Sequence, residues 1–250
     1  MEGLRYISKR MLTEWLPNLI LVAGLMVLIR LNLEIFAFGL ILLSKWQIFR
    51  GGRKLWLRSV RDNSCDLVVA ASTVALLLLA TEDLLIQSLV AGFYYIWLVA
   101  IKPLKSHVGV ATQSAVCQFL GLNVIFLLGR DIPASAVVVL AWLIAFVSAD
   151  HLISAFHEKA HFIITLSWAL IVAQLSWLFW RWLIVYSFFG DRILLPQAPI
   201  VITLLGYIFG SMYIDHTQTK LGRRRLIEYV ILTFGLSIIL IFGTQWDTRL

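Results

Sequence analysis

Charge is scarce in this chain, and so is punctuation. Of 250 residues only 14% are charged, five are proline and two are cysteine. A soluble domain carries about 25% charged residues and about 45–50% apolar ones. Here the apolar share is 60% and the mean hydropathy +0.88, which leaves no polar shell to cover a core in water. Lipid removes that problem, and no run is long or polar enough to be a separate soluble domain. The cysteines, Cys65 and Cys117, fall at an apolar segment's edge and inside another, so neither a disulfide framework nor a zinc ribbon is implied. No small-x-small cleavage site follows Leu28, where the chain continues Ile29-Arg30-Leu31-Asn32. The N-terminal apolar run, preceded by Arg5, Lys9 and Arg10, therefore reads as a retained signal anchor. There is no fixed-period repeat and no low-complexity tail.

The apolar segments lie near 14–29, 35–49, 65–81, 84–101, 109–128, 133–152, 162–182, 197–214 and 227–246. A spanning helix needs about 20 apolar residues. The segment 35–49 is short for that and reads as a tilted or re-entrant arm returning with the first. Lys and Arg occupy the gaps. With the N-terminus inside, the inner gaps hold Arg5, Lys9, Arg10, Lys45, Arg50, Arg53, Lys54, Arg58, Arg61, Lys102, Lys105, Lys159, Lys220, Arg223, Arg224 and Arg225. The outer side holds Arg30, Arg130, Arg181, Arg192 and Arg249, so sixteen of the 21 basic residues are inside and five outside. That bias predicts an all-α polytopic transmembrane bundle of about nine spans (eight to nine), N-in and C-out, with residues 1–250 as one transmembrane domain. Between Ala134 and Phe189 there is neither Gly nor Pro, and only His157-Glu158-Lys159 marks a turn. Trp177, Trp180, Trp182 and Tyr186 cluster where the seventh segment reaches the outer headgroup layer.

The net charge of +7 points to anionic headgroups rather than nucleic acid, because the cations hug the ends of apolar segments. Residues 50–63 form the longest such stretch. On a helical wheel Trp56, Leu57 and Val60 share one arc while Lys54, Arg58 and Arg61 face away, as in a cytoplasmic in-plane amphipathic helix. Arg53, Lys54, Arg58 and Arg61, with Arg223, Arg224 and Arg225, are the candidate anionic-lipid contacts.

Two patterns carry possible chemistry. His157-Glu158-Lys159-Ala160-His161 matches HExxH, in which two histidines four apart on a helix share a zinc ion and the Glu deprotonates its water. It resembles the core of zinc metalloproteases, though the Asp-Gly ligand motif of the intramembrane kind is absent. Candidate further ligands on the same side are Asp215 and His216, with Asp150 and His151 nearby in the topology. The second pattern is Asp62 and Asp66 entering the third segment and Asp150 leaving the sixth. It is similar to intramembrane prenyltransferases, which hold magnesium diphosphate on two Asp-rich motifs, although here one motif is a pair and the other a single residue.

No ionisable residue lies deep in a segment, which argues against pumps and proton-coupled carriers. The uncharged amides Asn18, Gln87, Gln113, Gln118, Asn123 and Gln174 read as glue between helices, and Gly206-x-x-x-Gly210 with Ser211 as a close-packing face. The stretches Ser44-Lys-Trp-Gln-Ile-Phe, Trp56-Leu-Arg-Ser-Val-Arg-Asp-Asn, Asp66-Leu-Val-Val and Tyr95-Ile-Trp-Leu-Val-Ala-Ile-Lys-Pro103 resemble polytopic membrane proteins of Saccharibacteria-type candidate-phylum bacteria. That resemblance implies a bacterial inner membrane and supplies no activity. The expectation is a multi-pass membrane protein without intrinsic catalysis or cofactor, acting as a subunit, scaffold or permeation element, with a possible membrane-protein partner. The competing expectation is an intramembrane enzyme at the cytoplasmic face, using zinc or magnesium.

Overall fold

Helix follows from long apolar runs that must satisfy their own backbone groups. The computed structural model describes residues 15–46, 59–129, 132–156, 160–182, 184–189, 192–218 and 222–242. Among these, nine α-helices and one β-hairpin form: α1 (Leu16–Arg30), α2 (Glu34–Ser44), α3 (Ser64–Leu79), α4 (Leu84–Ile96), α5 (His107–Leu128), α6 (Ala134–Ser154), α7 (His161–Arg181), β1 (Val185–Phe188), β2 (Ile193–Pro196), α8 (Gln197–Gln218) and α9 (Arg223–Phe242). Each apolar segment read from the sequence coincides with one helix. Four of them are long and apolar enough to cross a membrane: Leu84–Ile101, His107–Leu128, Ala134–Ser154 and His161–Arg181. Leu16–Arg30, Glu34–Ser44, Ser64–Leu79 and Gln197–Tyr213 are shorter apolar helices. The proposed amphipathic helix over 50–63 lies mostly outside the described residues.

Local chemistry sets the boundaries. Pro17 sits in the first turn of α1, where a missing N–H costs little. That helix ends on Asn32, whose φ of 56° is the left-handed conformation Asn tolerates best after Gly. The N–H of Leu33 then reaches Leu28 O at 2.9 Å and that of Asn32 reaches Ile29 O at 3.0 Å, a closed C-terminal cap that turns the chain straight into α2. Asp83 caps α4, its carboxylate accepting from Leu85 N at 2.9 Å and Ile86 N at 3.3 Å, which satisfies two N–H groups that the first turn leaves over. The hairpin pairs Val185 with Pro196 and Phe188 with Ile193. Strands of four residues carry too little alternation to show in the sequence. Burial pushes the Tyr186 hydroxyl in β1 above its ordinary value.

The chain divides into two compact units, residues 1–113 and 114–250, where the sequence showed no composition shift. In the first, α1 packs on α2, α3 and α4. In the second, α6 and α7 pack along much of their length. Their buried stripes are small: Val137, Ala141, Ala145, Ser148 and Ala149 on α6, and Thr165, Ala169, Val172, Ala173 and Ser176 on α7. Small residues four apart let backbones approach, which is what holds helices together when lipid is as apolar as Leu. Leu122, Phe126, Ala141, Ala145, Ala169, Val172, Ala198 and Ile202 join α5, α6, α7 and α8 in one core.

Close approach is also set by glycine. A Cβ on Gly206 would meet Trp168 Cζ2 at 2.9 Å and Gln118 Nε2 at 3.1 Å, whereas one on Gly92 would meet nothing within 4 Å. The Gly206-Gly210 face thus serves packing inside this chain. Gly206→Ala is expected to destabilise by about 1–3 kcal/mol through overpacking against a ring that cannot retreat. Gly92→Ala is expected to be neutral or to stabilise by up to about 1 kcal/mol. Thermal unfolding in detergent, compared between the two variants, checks the contrast.

Candidate functional site

Among the described residues, buried ionisable side chains gather at two places, one in each unit. In the first unit, α2 ends, α3 begins and α4 ends at a common point. Lys45 follows the last residue of α2, Asp66 lies in the first turn of α3, and Lys102 follows the last turn of α4. Asp66 Oδ2 accepts from the ammonium groups of both Lys45 and Lys102, the latter at 2.8 Å, and Oδ1 accepts from the indole Nε1 of Trp97 at 3.1 Å. Lys45 and Asp66 are buried, while the Lys102 side chain is 40% exposed. Placing the carboxylate in a helix's first turn also suits the helix dipole.

A local distortion brings Lys102 to this point. Residues Trp97–Ile101 form a π-helical turn, in which the N–H of Lys102 bonds Trp97 O at 2.8 Å. In an α-helix residue 101 would stand one turn above Trp97. The extra residue of the π turn puts Lys102 on that face instead of Ile101, so cation and indole reach the same carboxylate. Single π turns often occur where a side chain must be re-aimed. The carbonyls just past this turn are bound by Gln113, whose Nε2 lies 2.9 Å from Ile101 O, 3.0 Å from Lys102 O and 2.9 Å from Leu104 O. The Cys65 thiol in turn donates to Gln113 O at 3.4 Å. At the opposite ends of the same helices, Arg30 Nε donates to Gln87 Oε1 at 2.8 Å, and Gln87 Nε2 to Leu77 O at 3.4 Å.

In the second unit the carboxylate of Asp150 lies 2.7 Å from His161 Nε2, which is also 3.3 Å from Ser154 Oγ. This joins the end of α6 to the start of α7. Deeper inside, Gln118 on α5 accepts on Oε1 from Ser148 Oγ of α6 at 2.9 Å and from Trp168 Nε1 of α7 at 3.0 Å, and donates from Nε2 to Ile202 O of α8 at 3.2 Å. One amide thereby links four helices. Ser114 adds a bond to Ser148 O at 2.7 Å.

The candidate residues distribute as follows. His157, Glu158 and Lys159 lie outside the described residues. The flanking helices stop at Ser154 and start at His161, so the motif falls on the connection between them. The His161 nitrogen that a zinc ion would claim faces Asp150. Asp215 and His216 occupy the last turns of α8, and their side chains lie outside the described ones. Asp62 is exposed just before α3, whereas Asp66 is buried and takes three donors, two of them cationic. Among the described residues no group of three or more His, Cys, Asp or Glu is placed to hold a metal ion. His151 lies on α6 beside Asp150. Arg53, Lys54 and Arg58 lie outside the described residues, as do the side chains of Arg223 and Arg225. Arg61 is exposed, and Arg224 is 3.6 Å from Glu228 on the surface of α9, a pair worth little.

Lys45, Trp97 and Lys102 had not been singled out as a site. Lys45 and Lys102 had been counted only as topology markers. Their convergence follows from the alternating direction of α2, α3 and α4, but the π turn that completes it leaves no sequence signature. Compared with protein-family models, with curated proteins and with solved structures, the chain has no match.

Two substitutions test these networks. Asp66→Asn strands a buried ammonium and is expected to cost about 3–5 kcal/mol, most of it regained in the double variant Lys45→Met/Asp66→Leu. Gln118→Leu removes bonds to three helices and leaves the Trp168 indole N–H without its acceptor, at about 1–3 kcal/mol, more than the about 0.6 kcal/mol typical of one interhelical bond in a membrane. Unfolding midpoints of the purified protein in detergent measure both.

Proposed function

We propose that the chain is a multi-pass protein of a bacterial inner membrane, with eight to nine crossings, N-terminus inside and C-terminus outside, serving as a non-catalytic subunit or scaffold. The observation that carries this reading is what the interior polar groups do. Gln118, Gln113, Gln87 and Asp66 each bind several partners on neighbouring helices, and so act as fixed cross-links. Such a bundle suits a frame that presents its surfaces to lipid and to partner proteins. A carrier needs discrete alternative arrangements, and each of these bonds would have to be exchanged between them.

The alternating orientation is supported within the first unit. Lys45, Asp66 and Lys102 meet at one end of its helices, and Arg30 meets Gln87 at the other. The exposed side chains of Ile35, Phe36, Ile163 and Phe234 are what a lipid-facing surface carries. The inner-membrane setting agrees with the resemblance to Saccharibacteria-type polytopic proteins, and the basic connections are suited to anionic headgroups.

The zinc-hydrolase reading survives on one observation: His161, closing the HExxH motif, stands partly exposed beside Asp150. Metal analysis of protein isolated in mild detergent separates the two readings. The scaffold reading expects no stoichiometric zinc, co-purification with a membrane partner at fixed ratio, and a reporter after Leu250 that reads periplasmic. One zinc per chain, lost on His161→Ala and accompanied by hydrolytic activity that Glu158→Gln abolishes, would replace it with the enzyme.

A further inference from the structure

The cluster on Asp66 is unbalanced. Two ammonium groups share one carboxylate oxygen, leaving one positive charge in excess where Lys45 and Asp66 are both buried. An ammonium has three donors and no acceptor. Among the described residues Asp66 is the single acceptor found for each lysine. The buried Lys45–Asp66 pair balances itself, so the excess charge lies on the partly exposed Lys102 side, where a second anion would be favourable.

The adjoining connections are mostly basic: residues 46–63, which follow Lys45, contain Arg50, Arg53, Lys54, Arg58 and Arg61 against the single acid Asp62, and residues 103–106, which leave Lys102, add Lys105 and no acid. A second observation points the same way. The Tyr94 hydroxyl is fully buried and finds no partner among the described residues. It stands one helical turn before Trp97, whose indole binds Asp66, a neutral donor left over on the helix that leads to the cluster. Lys102, 40% exposed, gives the cluster its opening.

We propose that Lys45 and Lys102, held together by Asp66 beside Trp97, form a binding site for a phosphate group. The source that the membrane reading supplies is the headgroup of an anionic phospholipid, and for that source alone the inference rests on the proposed function. A phosphate diester brings one negative charge and acceptor oxygens for the donors that Asp66 leaves unused. Asp66 is then a positioning residue, holding together two cations that would otherwise repel.

The test uses the full chain in dodecylmaltoside. Phosphatidylglycerol, phosphatidylcholine and inorganic phosphate are added separately and the unfolding midpoint is followed. Phosphatidylglycerol is expected to raise it by about 2–4 °C, phosphatidylcholine by clearly less. Lys102→Gln should remove at least half of that rise, and Lys102→Arg should keep it. Retention of phosphatidylglycerol in native mass spectra, lost in Lys102→Gln and kept in Lys102→Arg, gives a readout independent of stability. A rise with inorganic phosphate alone, also lost in Lys102→Gln, would assign the site to free phosphate. An unchanged lipid-induced rise and unchanged lipid retention in Lys102→Gln would overturn the site, as would the absence of any response to phosphatidylglycerol and phosphate. Release of the chain from membranes by carbonate without detergent would end the membrane reading instead, and would leave the inorganic-phosphate arm to decide the site.

Discussion

A glutamine side chain in an apolar helix has two donors and two acceptor sites to satisfy, and no water within reach if lipid surrounds the bundle. Gln118 meets that constraint by binding one group from each of α6, α7 and α8. The packing around it is organised accordingly. Gly206 has no side chain because Trp168 and the Gln118 amide occupy the space a Cβ would need. Ala145 and Ala169 are small in the adjoining core between α6 and α7. The hydrogen bonds fix which helices meet, and the small residues fix how near they come.

The same constraint acts on charge in the first unit, with a different outcome. A carboxylate cannot be buried alone, so Asp66 brings Lys45, Lys102 and Trp97 to itself. Meeting that requirement distorts α4: Lys102 reaches the carboxylate because the last turn runs i to i+5 rather than i to i+4. Gln113 binds the carbonyls of Ile101, Lys102 and Leu104 just past that turn. The ion cluster and the amide together tie down the ends of these apolar helices.

Much of this was legible in the sequence, because the features that reveal it are long and periodic. Nine apolar runs separated by cations gave nine helices at nearly the expected bounds, and the reading of Gln87, Gln113 and Gln118 as glue between helices was sound. What escaped notice depends on local geometry. The Val185–Pro196 hairpin has strands of four residues, too short for an alternation to register. The small stripes on α6 and α7 are Ala and Ser at helical spacing within uniformly apolar runs, where nothing contrasts with them. From the sequence Asp66 reads as half of a possible magnesium-holding pair with Asp62. Its burial is decided by Lys45, 21 positions earlier, and Lys102, 36 later, and no local pattern encodes such distances.

Position along the helices separates the two kinds of polar group. The uncharged amide Gln118 sits well inside α5, where only hydrogen-bonding partners from protein are at hand. The charged groups Lys45, Asp66, Lys102, Asp150 and His161 all sit within a turn or so of a helix end. Burying an ion costs far more than burying an amide, and helix ends are where water, headgroups and counter-ions remain within reach. At the Lys45–Asp66–Lys102 cluster, charge at the ends leaves a local excess that outside ions can answer. Neutral amides cross-link the interior at no such cost, which is why the interior links are uncharged and the candidate chemistry lies near the helix ends.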